Sequence, residues 1–211
     1  MTEIPPHERR QQKTRQAILS TALELIVEKG PEGISLREIA RRIDYSPAGL
    51  YEYFDGKDEI IQAACSEADD RLRAYLEAVP AEEFSPREYL LELGQAYMNF
   101  ARQNPEHYKF LFIYRDLKPD VELPKFEKPE DFYIPPDDTF MIILNAVQSA
   151  IDAGVIRAKP GFQAMEISFS LWALGHGLAS LEARFQEILP YDFDSIARET
   201  FAHYLNSLSD E

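Results

Sequence analysis

The sequence predicts an all-α protein, with a small N-terminal three-helix domain of the helix-turn-helix kind followed by a larger helical domain. Three observations carry that expectation. Apolar residues recur at i, i+3, i+4 and i+7 spacing along most of the chain, with no sustained strand-like alternation. A small polar residue followed by proline opens segment after segment, at Ser46-Pro47, Ser85-Pro86 and Asn104-Pro105, which suits a helix cap and first turn. A chain of 211 residues that is 45% apolar can also bury a real core.

The first helix is expected over about 14–29, where Ile18, Leu19, Ala22, Leu23, Leu25 and Ile26 share one face and Gly30-Pro31 breaks the pattern. Ser35 and Glu38 have the S-x-x-E spacing of a capping box, and Leu36, Ile39, Ala40 and Ile43 supply the apolar face of a two-turn second helix ending near Asp44. Ser46 and Pro47 open a third, packed on the first through Leu50 and Phe54. Two short helices joined by a tight turn make a helix-turn-helix. "DGKDEI" then caps a fourth helix over about 57–78, and further helices are expected near 85–102, 104–114, 138–153, 161–189 and 193–208. Between 116 and 136 lie five prolines, read as an irregular surface loop or a lid over a pocket. The domain boundary is placed between 1–60 and 61–211.

The formal charge of -15 is unevenly distributed. Residues 1–60 carry 9 Lys and Arg against 11 Asp and Glu, and the remainder 13 against 26. Acidic groups farther than about 8 Å from a docking surface are largely screened at physiological salt, so the acidity does not exclude a polyanionic partner. No apolar leader is visible at the N-terminus, and the longest run free of charge, 167–181, is too short to span a bilayer. Together with the lone Cys65, this leads to the expectation of a cytoplasmic protein without disulfides or membrane contact. His7, His107, His176 and His203 have no metal-ligand spacing, and no nucleophile elbow or phosphate-cradling loop occurs, so neither an enzyme nor a metal or cofactor is expected.

The stretch "SPAGLYEYF" (46–54) carries only one charge, Glu52. It can still serve a DNA-binding protein if base reading and phosphate grip fall to different residues, because hydroxyls and backbone N–H groups bind phosphate without net charge. Ala48 and Gly49 would permit close approach to base edges, and close approach is one answer to why a glycine costing about 1 kcal/mol sits in a helix. Tyr51 and Tyr53 could flank the groove or simply pack. Positive charge would come from Arg9, Arg10, Lys13 and Arg15, from Arg37, Arg41 and Arg42, and from Lys57, whose first-turn position opposes the helix dipole until a phosphate relieves it.

"SLREIARRIDYSPAGLYEYFDGKDEII", preceded by "TRQAILSTALELIVEKG", resembles the DNA-binding domain of the TetR family of bacterial transcriptional regulators over about 12–62. That resemblance implies DNA contacts from Ser35 and Arg37, from Ser46, Pro47, Ala48, Gly49, Tyr51 and Tyr53 on the recognition helix, and a phosphate contact from Lys57. Asp44 stands where the family commonly has glycine; aspartate tolerates the left-handed conformation better than most residues.

In the body, "MEISFSLWALGHGLASLEARF" (165–185) carries two apolar stripes on nearly opposite sides, so one should face its own core and the other a partner. A two-fold dimer through this helix and the last one is expected, with Leu171, Leu174, Leu178, Leu181, Phe201 and Leu205 as candidate interface residues. Gly175 and Gly177 would be offset by close packing. Tyr97, Phe100, Phe110, Leu111, Trp172 and His176 could wall a ligand pocket or simply form core. "LWALGHGLASLE" is similar to the Trp-His-Gly signature of the C-terminal domain in one TetR subgroup, which implies a ligand-responsive, dimerising body. The combined expectation is a homodimeric regulator, most often a repressor in this family, that binds a palindromic double-stranded DNA operator and is released by a small-molecule effector. The alternative is a helical small-molecule binding or interaction module that does not bind DNA.

Overall fold

The computed structural model describes residues 5–30, 33–114 and 134–209, so most of the proline-rich stretch lies outside the described residues. The described residues form the helices α1 (Pro6–Lys29), α2 (Leu36–Arg42), α3 (Pro47–Leu50), α4 (Lys57–Glu77), α5 (Pro86–Gln103), α6 (Pro105–Lys109), α7 (Phe140–Asp152), α8 (Ala164–Phe185) and α9 (Phe193–Ser207). A 3-10 turn covers Ala81–Glu83 and a π turn Phe110–Tyr114. Among the described residues, β-pairing is limited to one bridge between Lys159 and Phe162. The chain divides into two compact units, one drawn from 1–70 and 106–122 and the other from 71–105 and 123–211.

In the first unit α1 starts about two turns earlier than apolar periodicity indicates. Pro6 supplies the fixed φ of a first helical position, and "HERRQQKTRQ" consists mostly of good helix formers, but it has no apolar face for periodicity to detect. Further along, Ile18, Leu23, Leu25 and Ile26 are fully buried with Ile39, Leu50, Phe54 and Ile60. Each such side chain contributes roughly 1.5–3 kcal/mol of apolar burial. Ser35 caps α2 by accepting from the Glu38 N–H at 3.2 Å. The reciprocal half of the expected capping box is missing, because the Glu38 carboxylate turns to Arg41, Arg42 and Lys29. Asp44, with φ 53°, provides the left-handed residue, and the Tyr45 N–H closes on the Ala40 carbonyl at 2.8 Å, a Schellman ending that sets α3 across α2.

In the second unit α5 opens with a full Ser85–Glu88 capping box and packs against α7, α8 and α9. Gly94 lets α9 approach, since a Cβ there would lie 2.8 Å from the buried Phe201 ring. Gly175 on α8 is tight against Tyr97 and Phe201, whereas Gly177 has nothing within 4 Å. Close packing therefore explains one of the two α8 glycines and not the other. At the far end of α5, Arg102 grips the buried Glu182 of α8 through Nε at 2.6 Å and a second nitrogen at 3.1 Å, and Asp194 of α9 at 2.7 Å. A fork-shaped guanidinium suits this bidentate task.

Candidate nucleic-acid interface

The third helix is held from below and open above. Leu50 and Phe54 are buried, and the Arg15 guanidinium stacks over the Phe54 ring at 4.3 Å. Ser46, Pro47, Ala48 and Tyr51 are exposed, Tyr51 at 57%, while Gly49, Tyr53 and Lys57 are half-buried. Ser35 and Arg37 are exposed at the start of α2. The Ser46 hydroxyl accepts from the Gly49 N–H at 3.0 Å, as the Ser35 hydroxyl does from Glu38; each cap uses an oxygen lone pair and leaves an O–H to donate outward.

Three expectations change at this surface. The α-helix of α3 ends at Leu50, and Tyr51 and Tyr53 follow in a tightened turn whose N–H groups bond three residues back, to Ala48 at 3.3 Å and Leu50 at 3.0 Å. The two tyrosines thus present from the end of the recognition element rather than from its helical body. Gly49 is explained inside the protein: a Cβ there would come within 2.6 Å of the Tyr45 ring, so the missing side chain makes room for Tyr45. Arg42 is turned inward, paired with Glu28, Glu24 and Glu38 and only 22% exposed. Its guanidinium holds Glu28 below the usual carboxylate range. The bond from Arg41, helped by Lys29 and Arg42, holds Glu38 at about 2. These pairs tie α2 to α1. The outward cations are then Arg37, the 69%-exposed Arg41 and the α1 residues Arg9, Arg10 and Lys13.

The body residues divide in a similar way. Tyr97 and Trp172 line a cavity with Leu90, Leu93 and Gly175, and the Tyr97 hydroxyl is 3.5 Å from His176 Nδ1. Burial pushes the His176 imidazole below its ordinary value. That cavity is about 20 Å³, room for roughly one water. Phe100 packs edge-on against Tyr75 at 5.8 Å within the second unit, and Phe110 and Leu111 are buried in the first unit. A larger open groove, about 680 Å³, lies between residues 77–89 and α7, with Phe84, Tyr89, Ile142 and Glu82 among its walls. Of the candidate dimer residues, Leu171, Phe201 and Leu205 are buried in their own unit's core. Leu174 and Leu178 are half-buried and Leu181 is 53% exposed, followed by exposed Ile188, Leu189, Tyr191 and Ile196.

Among the described residues no helix is long and apolar enough to cross a membrane, and no group of three His, Cys, Asp or Glu is placed to hold a metal. The fold and this surface define a helix-turn-helix regulatory protein. Residues 18–64 match the family described as bacterial regulatory proteins, tetR family, and residues 90–204 match the tetracyclin repressor-like C-terminal domain. The chain belongs to the TetR family. The nucleoid occlusion factor SlmA of Haemophilus influenzae is 28% identical over 105 residues, 49% of this chain and 48% of SlmA. The HTH-type transcriptional regulator TcmR of Streptomyces glaucescens is 30% identical over 76 residues, 36% of this chain and 34% of TcmR. The chain thus spans about half or less of these curated relatives. A tetR-family regulatory protein from Rhodococcus RHA1 superposes with a TM-score of 0.70 at 20% identity, covering 94% of this chain and 98% of that one. The fatty acid degradation regulator FadR of Bacillus halodurans gives 0.69 at 10%, covering 97% of each. Both share the fold.

Proposed function

We propose that the protein is a transcriptional repressor whose head, residues 1–60, binds a palindromic operator and whose body, 61–211, dimerises and responds to a small molecule. The observation that carries this reading is the outward row Ser46, Pro47, Ala48 and Tyr51, exposed on a helix anchored by buried Leu50 and Phe54. Ser35, Arg37, Tyr53 and Lys57 flank it as phosphate contacts, and Gly49 acts through the Tyr45 ring it accommodates. Two heads related by a dimer axis would meet half-sites about 34 Å apart or a multiple of that. The dimer face narrows to Leu174, Leu178 and Leu181 with the exposed apolar run to Ile196, because contiguous exposed apolar surface marks an interaction site.

The effector must bind better to a body state that mismatches the operator, or no release follows. The Tyr97–Trp172 cavity in its closed form admits nothing larger than water, so the responsive state is one in which it has opened. Selection of bound duplexes from a random pool by the purified protein tests the reading. A palindrome should emerge, and Tyr51→Ala with Lys57→Ala should abolish its retention without altering the oligomeric state. Losing the lysine should reduce the slope of log affinity against log salt by about 1. Absence of any retained duplex at low salt would overturn it.

A further inference from the structure

Tyr45 stands at the turn of the helix-turn-helix, 38% exposed, where the left-handed Asp44 directs it over the start of α3. Its ring lies across Gly49 and meets the Tyr53 ring edge-on, centroids 6.1 Å apart at 74°. Two aromatic rings locked in this way bring their hydroxyls to 3.4 Å from one another. That separation exceeds the roughly 2.5–3.0 Å of a well-formed O–H···O bond, so the two phenols satisfy each other poorly. It does suit two donors reaching oxygens of a single tetrahedral anion. Within 45–54 no side chain is cationic, so a phosphate contact from this stretch must come from neutral donors.

We propose that Tyr45 and Tyr53 together form a neutral two-hydroxyl seat for one backbone phosphate of the bound duplex; the inference rests on the DNA-binding reading above. Phosphate contacts from tyrosine hydroxyls set register without reading sequence, which fits residues at the two ends of α3. A phenol is protonated at neutral pH in any case, and the Tyr53 hydroxyl, then burial, then the charges of Tyr53 and Glu52, push Tyr45 further up, so it can donate. Gly49 becomes part of the seat, because any side chain there displaces the Tyr45 ring.

The seat differs from a cationic contact in what it leaves unchanged. Tyr45→Phe and Tyr53→Phe should each weaken binding of the selected duplex about 2- to 10-fold, the worth of a neutral hydrogen bond. Neither should alter the salt slope, since no cation is lost. Single methylphosphonate replacements scanned along the duplex should reveal one position where wild-type affinity falls and neither variant loses more; it must be the same position for both. Thermal unfolding of the variants should match wild type. Wild-type affinity in Tyr45→Phe, a reduced salt slope, or two different phosphates for the two tyrosines overturns the seat while leaving the regulator reading intact. Failure of the wild-type protein to retain any duplex overturns both.

Discussion

Gly94→Ala sets two calculable effects against each other in the body. In open space the exchange should stabilise α5 by about 1 kcal/mol, the difference between glycine and alanine in a helix interior. The space is not open, because the new Cβ would lie 2.8, 2.9 and 3.1 Å from three atoms of the Phe201 ring. Phe201 is 2% exposed, and the adjoining cavity of about 20 Å³ is too small to receive the ring. Overpacking of that kind costs roughly 1–3 kcal/mol. The net expectation runs from neutral to about 2 kcal/mol of destabilisation, or a fall of up to several degrees at about 2–4 °C per kcal/mol for a chain of this length. Gly177→Ala, made on the Leu178→Glu, Leu181→Glu background to free that face, is the matched control, with the same gain and nothing of its own chain within 4 Å of the added methyl, so its melting temperature should rise. Calorimetry of both variants at one protein concentration makes the comparison. A Gly94→Ala protein stabilised as much as Gly177→Ala would refute the close α5–α9 contact.

Three other outcomes follow from side chains already described. Leu178→Glu with Leu181→Glu should convert the proposed dimer to monomer in sedimentation with helicity retained; Leu205→Ala should instead cost about 2–5 kcal/mol of fold stability, because Leu205 is 1% exposed within its own unit. A persistent dimer in the double variant would remove α8's outward stripe from the interface. Glu38 has its folded pKa depressed from 4.5 to about 2, chiefly by the Arg41 bond, so its contribution is fully present above about pH 4.5 and is lost as pH falls through 2. Denaturant titrations should therefore show wild type losing more stability than Glu38→Gln between pH 5 and pH 2, and equal losses would sink the assignment.

The helical class and the head were legible because capping residues and apolar spacing agree, as at Ser46-Pro47 with Leu50 and Phe54. The polar opening of α1 was not, since a helix held by propensity alone leaves no periodic mark. Periodicity also could not say which stripe of α8 turns inward. Leu171 and Leu174 look alike in sequence, and only the approach of α9 at Gly94 and Gly175 decides that Leu171, Phe201 and Leu205 belong to the core. Tyr45 escaped notice because it lies outside any helix; its signal was the Tyr45, Gly49, Tyr53 spacing of four and four, legible once the glycine is seen as the gap a ring fills. Arg42 shows the same limit: a cation at a helix end reads as facing solvent until α1 brings Glu24 and Glu28 beside it.

The Arg102 knot has a mechanical corollary. Tied to Glu182 and Asp194 at the C-terminal ends of α5 and α8, the two helices are freer to part toward their N-terminal ends, beyond the Tyr97–Gly175 contact, where Leu90 and Leu93 face Leu171. A molecule entering between them would find a wedge, widest away from the rivet, and its length would set the angle of the arms.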